Sequence, residues 1–400
     1  MNISNKPTFY ECTSCQMCAA ICHANAITIQ LDNDGFYRPY INNDKCNNCG
    51  LCTQVCYKYD CEIEKNSNKE LNQYTLYAAS AKSEEIVANT TSGGIADLLA
   101  KQLIIDGYKV IGVIYDYESN KAKHKIASTI EETLPFRGSK YIQSYSVEAL
   151  REFVLQCRNQ KYAIFGLPCQ IYAISRFLKK KGIRQQCILI DLFCHGCPSM
   201  HVWNKTIEKI HKKIGSSPFD EVNFRSKKRG WGEFVIKVKK GDKCYFSTPL
   251  KNEFFDLFFS NQVLNPSCEN CQLRSTLSYT DIRLGDFWGK KYRDNFRGVS
   301  GVTIVSEKAK ELFTKIAPSL NYHEETLDSF LPFQSWGHSY IINEELRNKL
   351  MNLLKDEKTT IKDVIKPIYQ KRRKKVLFTN IIKSILFFLP SKIYYALRNY

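Results

Sequence analysis

Two cysteine runs near the start constrain this 400-residue chain more than any other feature. Cys12, Cys15, Cys18 and Cys22 are spaced C-x2-C-x2-C-x3-C, and Cys46, Cys49, Cys52 and Cys56 repeat that spacing. At this cysteine frequency the later positions of one run coincide by chance ~10⁻⁴ of the time, and of two runs ~10⁻⁸. Three cysteines on a tight loop cap three corners of an iron–sulfur cubane. A fourth, one turn into a helix, points away and serves another cluster. The spacing therefore predicts a crossed arrangement. Cys12, Cys15, Cys18 and Cys56 take one [4Fe–4S] cluster, and Cys46, Cys49, Cys52 and Cys22 take a second. The competing reading is a pair of zinc sites, but zinc favours C-x2-C pairs over four-cysteine runs.

Nine of the seventeen cysteines fall within residues 1–65, and Cys61 is spare. In a long chain such clustering speaks for metal binding or redox chemistry rather than a disulfide scaffold. With 44% hydrophobic and 24% charged residues the chain can bury a real core, which excludes disorder as its main state. No apolar stretch approaches the length of a membrane span, and the N-terminus lacks an apolar signal region. A cytoplasmic protein is expected. The formal charge of +18 resembles a nucleic-acid signature but counts every cysteine as neutral. Each [4Fe–4S]²⁺ cluster with four thiolates carries about −2, so three would remove about six units. No nucleic-acid partner is expected.

Four regions follow: 1–65, cysteine-rich; 74–155 and 156–340, two parts of an alternating strand–helix domain; and 341–400, helical and basic. The polar stretch 66–73 reads as a linker. Lys109–Tyr115, Tyr162–Phe165 and Cys187–Phe193 are apolar runs of the buried parallel-strand type. Helices are predicted over Gln170–Lys181 and Met200–Ile214, each stopped by a glycine. Phe234–Lys240 and Lys243–Ser247 flank a Gly-Asp turn and predict an antiparallel hairpin, so the sheet should be mixed. Ala26–Leu31 and Phe36–Ile41 predict a second hairpin, between the cysteine runs.

Two later cysteines stand at equivalent places. Cys169 follows the strand Tyr162–Phe165 in GLPCQ, and Cys194 follows Cys187–Phe193 in CHGCPS. Parallel neighbouring strands would bring both thiols to one carboxyl edge, where α/β sheets bind ligands. Each precedes a helix, whose N-terminus would lower a thiol pKa. Cys268 and Cys271 add a C-x2-C pair, and the four sulfurs suffice for a third [4Fe–4S] cluster; buried structural cysteine is the plain alternative. Upstream, Thr90-Thr91-Ser92-Gly93-Gly94 opens the apolar-periodic stretch Ile95–Ile105. Such a start offers backbone N–H groups to a phosphate, or is a simple cap. The lack of G-x-G-x-x-G removes support for a Rossmann dinucleotide site.

The front end resembles two-cluster ferredoxins, except that the proline usual after each fourth cysteine is replaced by His23 and Tyr57. Taken together, TSGGIADLLA, RGSKYIQS, GLPCQ, DLFCHGCPS, CENC and DIRLGDFWG resemble the coenzyme F-420 hydrogenase/dehydrogenase beta-subunit family over residues 74–340. That resemblance implies an α/β domain holding FAD and passing electrons between a cluster and a hydride-type partner. Ser92, Gly93 and Gly94 would meet the FAD phosphates. Ser139 and Lys140 would approach the flavin or its ribityl chain, and Asp286 and Trp288 would lie near the ring or its partner. Pro168, Cys169, Cys194, Cys268 and Cys271 would surround the inner cluster, the four cysteines as its ligands. Cys197, where relatives commonly carry an aliphatic residue, would be a spare thiol or an alternative ligand.

The expected function is an iron–sulfur flavoprotein oxidoreductase, relaying single electrons from an outside donor through clusters to FAD. Bacterial relatives often accompany surface-polysaccharide synthesis. His195, beside a ligand motif and with an ordinary pKa suited to neutral pH, is the expected proton donor. The alternative is an electron-transfer subunit whose substrate site belongs to a partner oxidoreductase. Lys371–Lys375 precede an Ile-, Leu- and Phe-rich segment, which suits either an anionic membrane surface or packing on the main domain.

Overall fold

A computed structural model describes residues 2–4, 11–59, 63, 66, 68–248, 252–292, 294–371, 386 and 389. Cys61 and the basic run Arg372–Lys375, with most of the tail beyond it, lie outside them.

The predicted front hairpin is β1 (Ile27–Leu31) paired antiparallel with β2 (Tyr37–Ile41). It is followed by β3 (Thr75–Ala81), β4 (Lys109–Asp116), β5 (Lys121–Ala127), β6 (Ser144–Tyr145), β7 (Tyr162–Phe165) and β8 (Cys187–Leu192). The last six strands are β9 (Glu221–Ser226), β10 (Val235–Lys240), β11 (Lys243–Phe246), β12 (Ile282–Asp286), β13 (Ser300–Ile304) and β14 (Leu320–Glu325). Among the described residues, nine strands form one mixed sheet in the order β14-β3-β13-β12-β8-β7-β4-β5-β6. Its centre, β12-β8-β7-β4, is parallel throughout. β13 and β5 flank that centre antiparallel. Strands from both 74–155 and 156–340 interleave in this sheet, so those two parts are one body.

Side-chain alternation explains the layering. Tyr162 and Ile164 of β7, with Cys187 and Leu189 of β8, face the helices Val147–Gln156 and Pro168–Lys180. Ala163, Ile188 and Ile190 face the opposite side, against the helices Ile95–Ile105 and Glu307–Ile316. The β9–β11 sheet packs beside this body with the helix Met200–Ile214. The helices Glu344–Lys355 and Ile361–Lys371 add Leu350, Met351, Leu354, Val364 and Ile365 to that same core. No helix among the described residues is long and apolar enough to cross a membrane.

The cysteine-rich front end is stitched onto this body. Gln16 Nε2 donates to Ser144 O at 2.8 Å, while its Oε1 accepts from Ser146 N–H at 2.7 Å. Met200 N–H donates to Gly35 O at 2.9 Å. Gly35 has φ +76°, and a Cβ there would stand 2.6 Å from Ser199 Oγ, so only glycine permits this approach. Residue 66, read as linker, is also tied down: Asn66 N–H donates to Ser275 O at 2.9 Å, and its Oδ1 accepts from Leu277 N–H.

Candidate functional site

Both cysteine loops curl by the same backbone device. Ser14 and Gln16 in the first run, and Asn48 and Gly50 at the equivalent places of the second, all have positive φ. The first loop is fixed by Arg38, whose Nη1 donates to Cys12 O at 2.5 Å, and by Asn265, whose Nδ2 donates to the same oxygen at 3.1 Å. A cavity is lined by Cys12, Cys15, Cys18 and Cys56 and by no other cysteine, which is the crossed set predicted from spacing. Burial, then the Cys56 and Cys12 thiols, pushes Cys15 up to about 12. In the second nest burial raises Cys52, with Cys22 adding to the shift. Asn2 Nδ2 donates to Cys46 Sγ at 3.6 Å, and Cys49 is exposed, so this nest faces outward.

Among the described residues, no three His, Cys, Asp or Glu side chains meet closely enough to hold one metal ion. The thiols of the first nest ring a cavity instead. That arrangement suits a cubane, which takes one sulfur at each of four corners.

β7, β8 and β12 run parallel and in register, so the segments after them emerge at one edge. Cys169 sits in the first turn of Pro168–Lys180, directly after Pro168 at the helix start. Cys194 lies in the loop after β8, and Cys268 and Cys271 arrive on a 3₁₀ turn and the loop behind it. These four come together: Cys169 is influenced by Cys15, Cys194, Cys271 and Cys268, and Cys194 by Cys268 and Cys271. The expected lowering by helix N-termini does not hold. Burial raises Cys169 well above its usual value, Cys194 to about 12 and Cys268 to about 11. Cys194 also lies well ahead of the helix that starts at Met200. Arg274 acts on Cys194 and Cys268 but does not offset the burial of these thiols, so the group suits a cationic centre that would hold the sulfurs deprotonated, as a metal cluster does.

Cys197 lies against Cys268 and Cys194, and its backbone N–H donates to the Cys268 sulfur. Arg274, unread in the sequence although it follows CENC closely, ties the segment together. Its Nη2 donates to His195 O at 2.7 Å and to Cys268 O at 2.6 Å, and its Nη1 to His338 O at 2.8 Å.

His195 does not meet the expectation that singled it out. Burial pushes its pKa down to about 4, so at neutral pH the ring is uncharged. Nε2 pairs with Asn261 Oδ1 at 2.8 Å, and Nδ1 lies 3.1 Å from Tyr340 Oη. The ring packs against Phe258, Phe259 and Tyr340. These contacts position the loop that carries Cys194.

The flavin-directed motifs converge on a separate corner. Ser139 N–H donates to Thr91 Oγ1 at 2.7 Å, joining RGSKY to TSGG. Arg137 holds both, its Nε donating to Asp97 at 2.7 Å and its Nη1 to Glu85 at 2.7 Å. Ser92 Oγ donates to Val299 O at 3.0 Å and Gly93 N–H to Ser300 Oγ at 3.0 Å, so both lock the loop to β13. Gly94, at φ +85°, starts the helix Ile95–Ile105 with no side-chain cap, leaving its first N–H groups for an anion. Lys140 differs from the expectation. Its Nζ donates to the carbonyls of Pro135, Phe136 and Arg137, at 3.0, 3.1 and 3.0 Å, which uses all three N–H bonds. Burial lowers it to about 7.

Asp286 and Trp288 complete the corner. Asp286 accepts from Arg225 Nη1 at 3.0 Å and from Trp231 Nε1 at 2.9 Å, and Trp231 stacks on Trp288 at 4.6 Å. Lys227 Nζ donates to the carbonyls of Val87 and Ser92, at 2.5 and 2.6 Å. Arg225, Lys227 and Trp231 were not singled out in the sequence; the basic-aromatic stretch FRSKKRGW was the available signal. A cradle with an uncapped helix start, stacked indoles and the buried Arg225 fits a phosphate-bearing aromatic group such as FAD. Gly93 admits no side chain, because a Cβ would lie 2.3 Å from Ala79 O. Gly93→Ala is expected to cost about 1–3 kcal/mol of stability, read by denaturant unfolding.

Comparison with known proteins adds the family. Residues 159–329 match the model for the C terminus of the beta subunit of coenzyme F420 hydrogenase/dehydrogenase. That segment belongs to the family. Residues 11–58 match the 4Fe-4S dicluster domain, so the front end is an iron–sulfur domain. Coenzyme F420 hydrogenase subunit beta of Methanococcus voltae is 31% identical over 131 residues, 31% of this chain and 46% of that relative. The protein of the same name from Methanosarcina barkeri is 22% identical over 267 residues, 64% of this chain and 84% of the relative. The chain thus spans less than half of the first relative and most of the second. A solved structure of the F420-reducing [NiFe] hydrogenase complex from Methanosarcina barkeri aligns with TM-score 0.46 at 19% identity, covering 78% of this chain and 94% of that chain. The beta-subunit segment begins just before β7 and holds Cys169, Cys194, Cys268 and Cys271, while the dicluster segment holds all eight cysteines of the two runs.

Proposed function

We propose that the chain is an iron–sulfur flavoprotein oxidoreductase. The observation that carries this is the serial placement of its cysteine nests. The Cys46, Cys49, Cys52 and Cys22 nest faces outward, and the Cys12, Cys15, Cys18 and Cys56 nest meets the inner thiols where Cys15 acts on Cys169. From the inner nest, aromatic rings lead toward the candidate FAD corner. His195 lies 5.5 Å from Phe259, Phe259 lies 4.9 Å from Phe234, and Phe234 lies 6.0 Å from Trp288.

Clusters exchange single electrons and a flavin exchanges pairs, so a chain holding both can couple a one-electron donor to a two-electron partner. From about −400 mV at a cluster to about −200 mV at a flavin, the fall is about 9 kcal/mol per pair. The chain's own residues do the holding. The twelve cysteines would ligate three clusters, Gly94 and the helix behind it would face phosphate, Ser139 would sit by the ribityl chain, and Asp286 fixes Arg225 and Trp231 beside Trp288. Arg225 is buried and ion-paired, which keeps a cation at this corner.

Iron, zinc and flavin per chain, measured on protein purified without oxygen, test the reading. About twelve irons with FAD is the expected result. About eight irons would remove the inner nest as a cluster site, and zinc in place of iron would end the redox reading. A second reading is favoured by the names of two relatives, each a subunit: an electron-transfer subunit that docks on a partner oxidoreductase. Flavin bleaching by small-molecule reductants supports the enzyme; bleaching only with a partner protein supports the subunit.

A further inference from the structure

Tyr57 follows the last cysteine of the second run and opens a short 3₁₀ turn. It is 4% exposed and belongs to the buried cluster that joins Met17 and Val55 of the front end to Ile171 of the main domain. Tyr172 meets it edge-on at 6.1 Å. Its hydroxyl is buried and has no hydrogen-bond partner, one of a small set of such atoms among the described residues. A buried phenol normally finds an acceptor, since an unmade hydrogen bond costs more than a typical made one contributes. The surroundings show where that acceptor belongs. Cys169 and Cys271 pack against the same buried cluster as the Tyr57 ring, and the thiols that act most on the hydroxyl are Cys271 first, then Cys169, Cys268 and Cys56. Three of the four belong to the inner nest. Neither ring neighbour competes, because Tyr172 presents an edge, and Lys58 lies over the ring face at 5.0 Å.

We infer that Tyr57 donates its phenolic hydrogen bond to a sulfur of the inner [4Fe–4S] cluster, and so raises that cluster's reduction potential across the junction between the two domains. The inference rests on the inner cluster proposed above. Its physical basis is that reduction adds negative charge to the cluster, and a donor aimed at sulfur stabilises the more negative state more than the less negative one. Tyr57 is a positioning and tuning residue, not a ligand. It belongs to the front-end segment but would act on the nest of the main domain, so docking of the front end would set the potential of the cluster it feeds.

The test is Tyr57→Phe in the full chain, purified without oxygen, with each cluster followed by EPR during a redox titration. The expected result is about a tenfold fall in the reduced-to-oxidised ratio of the inner cluster at a fixed potential, which is 59 mV for a one-electron couple. The two ferredoxin clusters should keep their potentials. Independently, an exchangeable proton coupled to the reduced inner cluster should be seen by ENDOR in the parent protein and lost in Tyr57→Phe. About twelve irons with an unmoved inner potential and no lost proton coupling would overturn the role of Tyr57 alone. A shift confined to a ferredoxin cluster would overturn it as well, assigning the bond to the Cys56 side. About eight irons in the parent protein would overturn the inner cluster itself, and this inference with it.

Discussion

Replacing Cys169 with alanine is expected to lower iron from about twelve to about eight per chain while both ferredoxin clusters stay assembled. Cys169 is the informative ligand because it stands where two nests meet: among the thiols acting on it, Cys15 of the front end comes first and Cys194, Cys271 and Cys268 follow. Alanine removes the sulfur and offers no other ligand atom. The front-end cysteines are held by their own loops, with Gln16 bonded to Ser144 and Ser146 and Arg38 bonded to Cys12, so their clusters should survive. Reduction of the ferredoxin clusters should persist while reduction onward to the flavin stops. Cys157→Ser is the control, since that buried thiol ends the helix Val147–Gln156, 3.6 Å from Val154 O, and belongs to none of the three cysteine sets. Cys197 is close enough to Cys194 and Cys268 to stand in as a ligand. A count that stayed near twelve in Cys169→Ala and also in the Cys169→Ala/Cys197→Ala double variant would reject Cys169.

The grouping of the first front-end nest was legible because its signal is local. Spacing within a loop dictates which thiols face one cavity, and the crossed set Cys12, Cys15, Cys18 and Cys56 needed only the rule that a fourth cysteine points away. The strands β4, β7 and β8 and the β10–β11 hairpin were visible for a similar reason, as short apolar runs bounded by turns. β3, β13 and β14 were not read. β14 is mostly exposed, and the exposed, charged run NYHEE carries no apolar alternation. β3 lies more than 200 residues before β13 and β14, and the three pair only because the parallel centre offers an edge.

The flavin corner shows the limit more sharply. Thr91, Ser139 and Asp286 were available from motifs, but Arg225 lies in another sheet and Lys227 on the turn after it, and both reach the corner only through tertiary packing. His195 was chosen for the pKa of an exposed imidazole, and Lys140 came from the family resemblance as a group near the flavin. The fold buries both and spends their polar atoms on backbone and neighbouring groups, and burial is what sequence alone conveys least.

Arg283→Leu is expected to lower stability by about 3–5 kcal/mol, the usual cost of leaving a buried charge unpaired. Arg283 on β12 and Asp191 on β8 are neighbours across the parallel ladder and are exposed by 1% and 0%. Two bonds, Nε to Oδ1 at 2.8 Å and Nη2 to Oδ2 at 2.5 Å, make the pair bidentate. Burial pushes the Asp191 carboxyl up and the guanidinium opposes it; two-point geometry of this kind is that of an ion pair. The same guanidinium donates to Tyr279 Oη at 2.5 Å and to Leu273 O at 3.3 Å, bracing the segment just after Cys271. The loss should therefore appear in iron content as well as in unfolding, with the inner cluster the first to go. Asp191→Leu in the Arg283→Leu background should recover much of the stability, because an apolar pair of similar volume leaves no charge behind. It should not recover the inner iron, since the bonds to Tyr279 and Leu273 remain missing. A double variant that regained both would reduce Arg283 to a charge partner of Asp191. A single variant costing less than about 1 kcal/mol would mean that Asp191 is protonated in the fold and the pair is not ionic.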